Sequence, residues 1–433
     1  DIGDYWAPIE EDGLYIETDG VTIENATFRN NDYGVILDGA NQSRLRNVSV
    51  IDGGSYGIYV RDSIDVTVTG HGTNDATWGV FYLRANHSRF VDNALTEIGA
   101  EVRIDQSQNV TVANNSFVRS GYLNLRNSHD LTVRNNRFTR YGTIGVDGSR
   151  AVAVTANDFD EQGTIRLASS RATTIRANTV EEIDLNSADN TTVADNRLGV
   201  TSYSGGGIVD DDGAGNVIRN NTVADGNTGI HLQNAADTVV VGNSVDSNEY
   251  YGLHLDEATN ATVTDNTMTA NAVDFYVEGE LRYSPGGALR YYLHNVTNNQ
   301  VTAGPLYYLV NQTSASAPTD TGAVWVVNGD DVTVEHGQSV ALIHTQNSLV
   351  SGVSVTGGDY GVLLYGSDNN RIENSTATAT RYGFQLESSD HNELVGNDVS
   401  NPDSRFSTYA FRIWESNGTG ATDNAVDGDW HSG

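Results

Sequence analysis

The chain has 433 residues, 57 acidic side chains against 24 basic ones, all of them Arg, and a formal charge of −33. That balance repels phosphate backbones and anionic bilayers, so no nucleic-acid partner is expected. The absence of Cys excludes disulfides and thiolate metal sites, and no run of about 18 apolar residues is present to insert into a membrane as a helix.

Taken from the start, the chain opens with Asp1 rather than Met, which is read as the product of signal-peptide removal. The first coil begins near Gly13-Leu-Tyr-Ile16. One inward apolar residue per coil then follows at Val35, Ile58, Val80, Val102, Leu123, Ile144, Ile165, Ile183, Ile208, Ile230, Leu253 and Phe275. Between Val102 and Ile165 the step is 21 residues. Asn-x-apolar keeps the same beat at Asn115, Asn136, Asn157 and Asn178, and runs on through Asn196, Asn221, Asn243 and Asn266 to Asn397. Short alternating runs separated by Gly, Asn, Asp and Ser are strands, and a period near 20 residues is a solenoid. The expectation is an all-β, right-handed parallel β-helix of roughly 17–19 coils, whose Asn column stacks amide on amide.

Coils cover 1–278 and 323–422, with a Tyr-rich insertion at 279–322 and a tail at 423–433. The insertion holds three of the five prolines and is predicted to lay strands Leu289–Leu293 and Leu306–Val310 on the solenoid. Coils resume at Val324, Ala341, Val362, Phe384 and Phe411. Loops are expected at Gly199–Gly207 and Asn401–Thr408, and lightly capped ends are expected to permit end-to-end self-association or docking of a further domain.

The units GIHLQNAADTVVVGNSVDSN (229–248) and YGVLLYGSDNNRIENSTATAT (360–380) resemble the NosD-type β-helix repeat of secreted archaeal and bacterial proteins. The stretch AGPLYYLVNQTSASAPTDTGAVWVVNGDDVTVEH (303–336) is similar to an insertion in archaeal members. The resemblance implies the fold and an extracellular or cell-surface place. It leaves function open, because such repeats occur in copper-delivery proteins, carbohydrate-active enzymes and surface proteins alike.

Excess acid without Lys is the pattern of a halophile, whose molar salt shortens the Debye length to roughly 3 Å. Sequons at Asn41, Asn47, Asn86, Asn260, Asn295, Asn311 and Asn417 are glycosylation candidates, although Asn-rich turns followed by Thr also create them by accident. Aligning coils places His231, His254 and Tyr276 in one outward column, with Asp211, Asp256 and Glu278 in the next. Stacked His beside carboxylates suits acid/base work or a divalent cation, while the plain alternative is a charge-compatible surface. Carbohydrate platforms are sought at Tyr251, Tyr276, Tyr307 and Tyr308, and among Trp78, Phe81, Tyr82, Tyr250, Tyr365 and Trp414. Gly70-His71-Gly72 matches one polygalacturonase element, but it precedes the Asp210–Asp212 run and no Arg-Ile-Lys follows, so it is read as fortuitous. No cofactor and no metal site are assigned: without Cys and with only Met268, soft ligands for copper are lacking. The expected function is an extracellular structural or adhesive module of a halophile, glycan-binding or filament-forming. The alternative is a polysaccharide hydrolase or lyase working near His231 and His254.

Overall fold

The computed structural model describes residues 12–427, apart from 52–53, 75–77, 97–99, 120, 200–204, 280–288, 358–359, 379 and 401–408. The terminal caps and most of both expected loops lie outside the described residues. The chain forms two compact units, Asp1–Val217 and Ile218–Gly433.

In the first unit every coil contributes one strand to each of three parallel sheets. The longest strands form one sheet, from Leu14–Ile16 through Tyr33–Asp38, Tyr56–Arg61 and onward to Gly207–Asp211. Its register aligns Val35 with Ile58, Ile58 with Val80, and so on to Ile183 with Ile208. All of these residues are fully buried, because alternation sends every second side chain inward and the neighbouring coils close over it. The protein is therefore a parallel β-solenoid. Phe117, Phe138 and Phe159 stack inside it with ring centroids 4.5 Å apart.

The Asn, Asp and Ser that separate the strands have a backbone reason. Several positions per coil are left-handed, as at Gln106, Asn109 and Asn114 (φ 50°, 55° and 56°) and again at Asn127, Asp130 and Asn135. Short polar side chains adopt that region at least cost.

In the second unit, strands Thr228–Gln233, Tyr251–Asp256 and Val273–Glu278 pair in parallel. Asn295–Thr297 and Asn299–Val301 complete the last of these coils against Thr262–Thr264 and Thr267–Thr269. The strand Gly304–Val310 then runs antiparallel to Asn299–Val301 and founds another stack. That stack continues in parallel through Ala323–Val327, Val340–Ile343, Tyr360–Tyr365, Tyr382–Glu387 and Tyr409–Trp414. The segment 279–322 thus holds the end of one stack and the start of the next. Leu289–Tyr291 is a 3-10 helix, not the expected strand, whereas Leu306–Val310 is part of one. The inward residue opposite Val324 is Val340, one position before the expected Ala341. Ala341 instead pairs with Trp325 and Leu363 on the other face. A one-residue slip exchanges faces in a period-two strand.

Candidate functional site

Parallel register brings the expected histidine column together. His231 lies opposite His254 and His254 opposite Tyr276, while Gln233, Asp256 and Glu278 line up beside them. The two imidazoles stack at 4.7 Å with planes 1° apart, and Tyr251 packs on His254 at 4.5 Å and on Tyr276 at 5.4 Å. Each imidazole faces the carboxylate of the next coil, His231 Nε2 at 3.7 Å from Asp256 and His254 Nε2 at 3.5 Å from Glu278. At these lengths they are ion-pair contacts rather than full hydrogen bonds, and both Nε2 atoms are buried without a hydrogen-bond partner. The pull of His231 is the main cause holding Asp256 below the ordinary carboxylate range, against a desolvation that works the other way. Asp211 ends strand Gly207–Asp211 opposite Asn186, in the first unit, and its backbone carbonyl accepts from the Ser187 N–H at 2.7 Å.

The tyrosine platforms fare differently. Tyr276 is buried, at 7% exposure, against Trp325 and Tyr360 of the following stack, and Tyr308, on the first strand of that stack, is buried at 8% against Phe275 and Trp325. Tyr276 stacks on Tyr360 at 5.9 Å and its O–H donates to the Tyr360 oxygen at 3.4 Å; burial pushes this phenol well up. Tyr308 donates to the Tyr292 carbonyl at 2.7 Å. Both rings are thus largely covered, although Tyr276 also lines a groove with Trp325 and Tyr360. Tyr307 is half-buried with its O–H on Asp320 at 3.0 Å. Tyr82 and Tyr365 are buried, Tyr250 and Trp414 are exposed, and the Trp78 side chain lies outside the described residues.

Two histidines are structural. His71, in the Gly-His-Gly match, is 1% exposed, and its Nδ1–H donates to the Val48 carbonyl at 2.7 Å. It occupies the Asn-column position, and its backbone N–H bonds Asn93 Oδ1 at 2.8 Å. Burial lowers its pKa to about 4, as it does for His294. Asp210 is likewise interior, accepting from Asn216 Nδ2 at 2.8 Å, whereas Asp211 is half-buried and Asp212 exposed.

Among the described residues no three His, Cys, Asp or Glu converge on a common point. Met268 is fully buried between Val245 and Val301, and the stacked histidines direct Nε2 at separate carboxylates. This donor set does not suit copper.

The first unit carries a site of which the sequence reading named only Phe81. Tyr33, Tyr56, Tyr59 and Phe81 form one outward cluster, with neighbouring centroids 5.2–5.8 Å apart. The Arg103 guanidinium lies 5.0 Å over Phe81 and that of Arg61 5.9 Å over Tyr59. Arg61 also bonds Asp38, Arg103 bonds Asp105 at 3.0 Å, and Asn124 donates to Glu101 at 2.6 Å close by. The three tyrosines are half-exposed, and burial raises each phenol, so the hydroxyls stay protonated as donors. The signal was present: Tyr33-Gly34 and Tyr56-Gly57 recur one coil apart, each just before an inward residue.

Solved structures similar to the chain include PfbA, a surface adhesin of Streptococcus pneumoniae (10% identity, 75% of this chain and 83% of that one, TM-score 0.30). The PL6 family alginate lyase AlyGC is also similar (14% identity, 96% and 89%, TM-score 0.35). So is a DFA-IIIase from Arthrobacter chlorophenolicus A6 (11% identity, 73% and 84%, TM-score 0.34). No curated protein sequence matches. The family described as "Periplasmic copper-binding protein (NosD)" matches at residues 10–121, 118–304 and 284–433. With almost the whole length matched, the chain belongs to the NosD family.

Proposed function

We propose that the protein works outside the cytoplasm as an adhesive or structural module, holding extended glycans against the aromatic face of its first unit. The observation that carries this reading is the cluster of half-buried Tyr33, Tyr56 and Tyr59 packed on buried Phe81, with Arg61 and Arg103 laid over it. Aromatic faces stack on the C–H faces of sugar rings, while phenol and guanidinium edges bond their hydroxyls. Parallel strands repeat the platform about every 4.8 Å, which suits a polymer better than a single small ligand. The copper of the family description is not carried over, because the donor atoms of the described residues do not converge. A periplasmic or extracellular place follows the family description. Replacing Tyr56 and Tyr59 by Ala should weaken binding to a glycan panel at least tenfold with circular dichroism unchanged. Equal affinity in the variant, or no binding by the parent, would overturn the reading.

One observation favours a second reading, a polysaccharide hydrolase or lyase. His231 and His254 each direct a buried, unbonded Nε2 toward a carboxylate on the next coil, an arrangement able to pass a proton to or from a substrate oxygen or carbon. The test is turnover of neutral and acidic polysaccharides by the parent and by a His231→Ala/His254→Ala variant. No turnover by the parent retires this alternative.

A further inference from the structure

The charge of the chain is not evenly spread. Residues 119–176 hold nine Arg against five Asp and Glu, a net of +4 inside a chain of −33, which leaves −37 on the remainder. Four of the nine are neutralised by ion pairs, Arg126 with Asp147, Arg137 with Asp160, Arg166 with Asp184 and Arg176 with Asp195. Arg119 and Arg140 are exposed and carry no ion pair among the described residues. They occupy equivalent positions on adjacent coils, just before the strands Gly121–Arg126 and Tyr141–Asp147.

Those two arginines flank an open groove of about 460 Å³, whose other walls are Tyr122, Tyr141, Gln162, Thr143 and Thr164. Tyr122 and Tyr141 are 45% and 53% exposed, among the most exposed large side chains described. Register sets Tyr141 opposite Gln162, and Thr143 between Tyr122 and Thr164. Both arginines have left-handed backbones, with φ of 78° and 73°. A long side chain is uncommon there, and Gly or Asn would hold the same turn more cheaply. Glu161 takes the equivalent place one coil on, without a left-handed φ, and ends the basic pair.

We infer that this groove is an anion-selective subsite that binds carboxylated polysaccharide, deepening the proposed glycan-binding role and resting on it for the neutral part of the chain bound. Two guanidiniums one coil apart match carboxylates spaced along a polymer and can grip each bidentately. The exposed tyrosines supply faces for the sugar rings, and Gln162 and the threonines supply hydroxyl partners. A nucleic acid fits less well. Duplex DNA packs one charge into about 1.7 Å of axis and would meet stronger repulsion from a surrounding −37 than a single polyuronate strand with one carboxylate per sugar.

The test compares polygalacturonate, the same polymer fully methyl-esterified, and single-stranded DNA, each titrated into the whole protein at the lowest salt that preserves its circular dichroism. The parent should bind the acidic polymer at least tenfold tighter than the ester, with affinity falling as salt rises. Arg119→Gln/Arg140→Gln should remove that preference and leave binding of the ester unchanged. Tyr56→Ala/Tyr59→Ala should instead weaken ester and acid together. Unchanged acid affinity in the arginine variant, equal binding of acid and ester by the parent, or DNA bound as tightly as polygalacturonate would each overturn the inference. If the ester binds through Tyr56 and Tyr59 with no acid preference, the inference fails and the proposed function stands. If the acid binds through the arginines and the tyrosine variant changes nothing, the reverse holds.

Discussion

Asn157 shows how much one side chain does in a repeating coil. Its Nδ2 donates to Asn178 Oδ1 at 3.0 Å and to the Val133 carbonyl at 3.2 Å, and its Oδ1 accepts the Asn136 N–H and Nδ2, each at 3.0 Å. The same pairing runs from Asn93 to Asn196 within the first unit and from Asn221 to Asn299 within the second. Asn157→Ala orphans donors above and a carbonyl beside it, all buried, and should cost about 1–3 kcal/mol in a denaturant titration. A cost of a few tenths would show the column to be solvated. His71 offers a pH test at the same scale. Its folded pKa of about 4 lies below the ordinary 6.5, so burial of the neutral ring stabilises the fold fully above pH 6.5. That contribution is lost as pH falls toward 4, about 3 kcal/mol in all. His71→Asn, the residue the column otherwise carries, should therefore unfold at lower pH than the parent, and a stability difference that does not change between pH 7 and 4.5 would refute it. Sequons divide on similar grounds. The Nδ2 atoms of Asn41, Asn47, Asn260 and Asn417 already donate to the preceding coil, whereas Asn295 and Asn311 are exposed with Nδ2 unused. In glycopeptide mass spectra of the native protein, glycan is expected at Asn295 and Asn311 rather than Asn47.

At the scale of the coil, the glycines two residues before Leu123, Ile144 and Ile165 answer to the aromatic stack. A Cβ on Gly142 would come within 2.6 Å of Phe138 Cβ, and those on Gly121 and Gly163 would meet Phe117 and Phe159 at 2.5 Å. These are close approaches of strand to strand, not turns that need a positive φ. Gly142→Ala should displace the ring stack and lower stability by about 1–3 kcal/mol, read as a fall in the thermal midpoint. Coil, ladder and core were legible in the sequence because all three repeat, and a misfit at one coil stands out against its neighbours. The start of the second stack was not legible. Gly304–Val310 reads like any other strand, and its antiparallel pairing with Asn299–Val301 depends on a partner chosen in space. Tyr276 is covered by Trp325 and Tyr360 of that second stack, so the outward position it has in the sequence does not survive in the fold.

For the molecule as a whole, a charge of −33 opposes compaction unless salt screens it. The β signal in circular dichroism should therefore weaken in about 10 mM salt, where the Debye length is roughly 30 Å, and recover in molar salt. A fold indifferent to that change would remove the reason to regard the protein as halophilic. Binding of acidic polymer by the Arg119 and Arg140 groove should show the opposite trend, strongest where salt is lowest. Measuring both on one sample separates screening of the fold from screening of the ligand.

The sequence by itself determined the solenoid, its inward column and its Asn ladder, since these need only a period and an alternation that neighbouring coils share. It also placed His231, His254, Asp256 and Glu278 on one face, because parallel register follows from equal spacing within the coils. What only the tertiary structure decided is which outward side chains remain outward. Tyr33, Tyr56 and Tyr59 keep solvent, whereas Tyr276 loses it to Trp325 and Tyr360. Exposure on a strand face depends on what packs across it, and that contact joins residues 84 positions apart, far outside any local period.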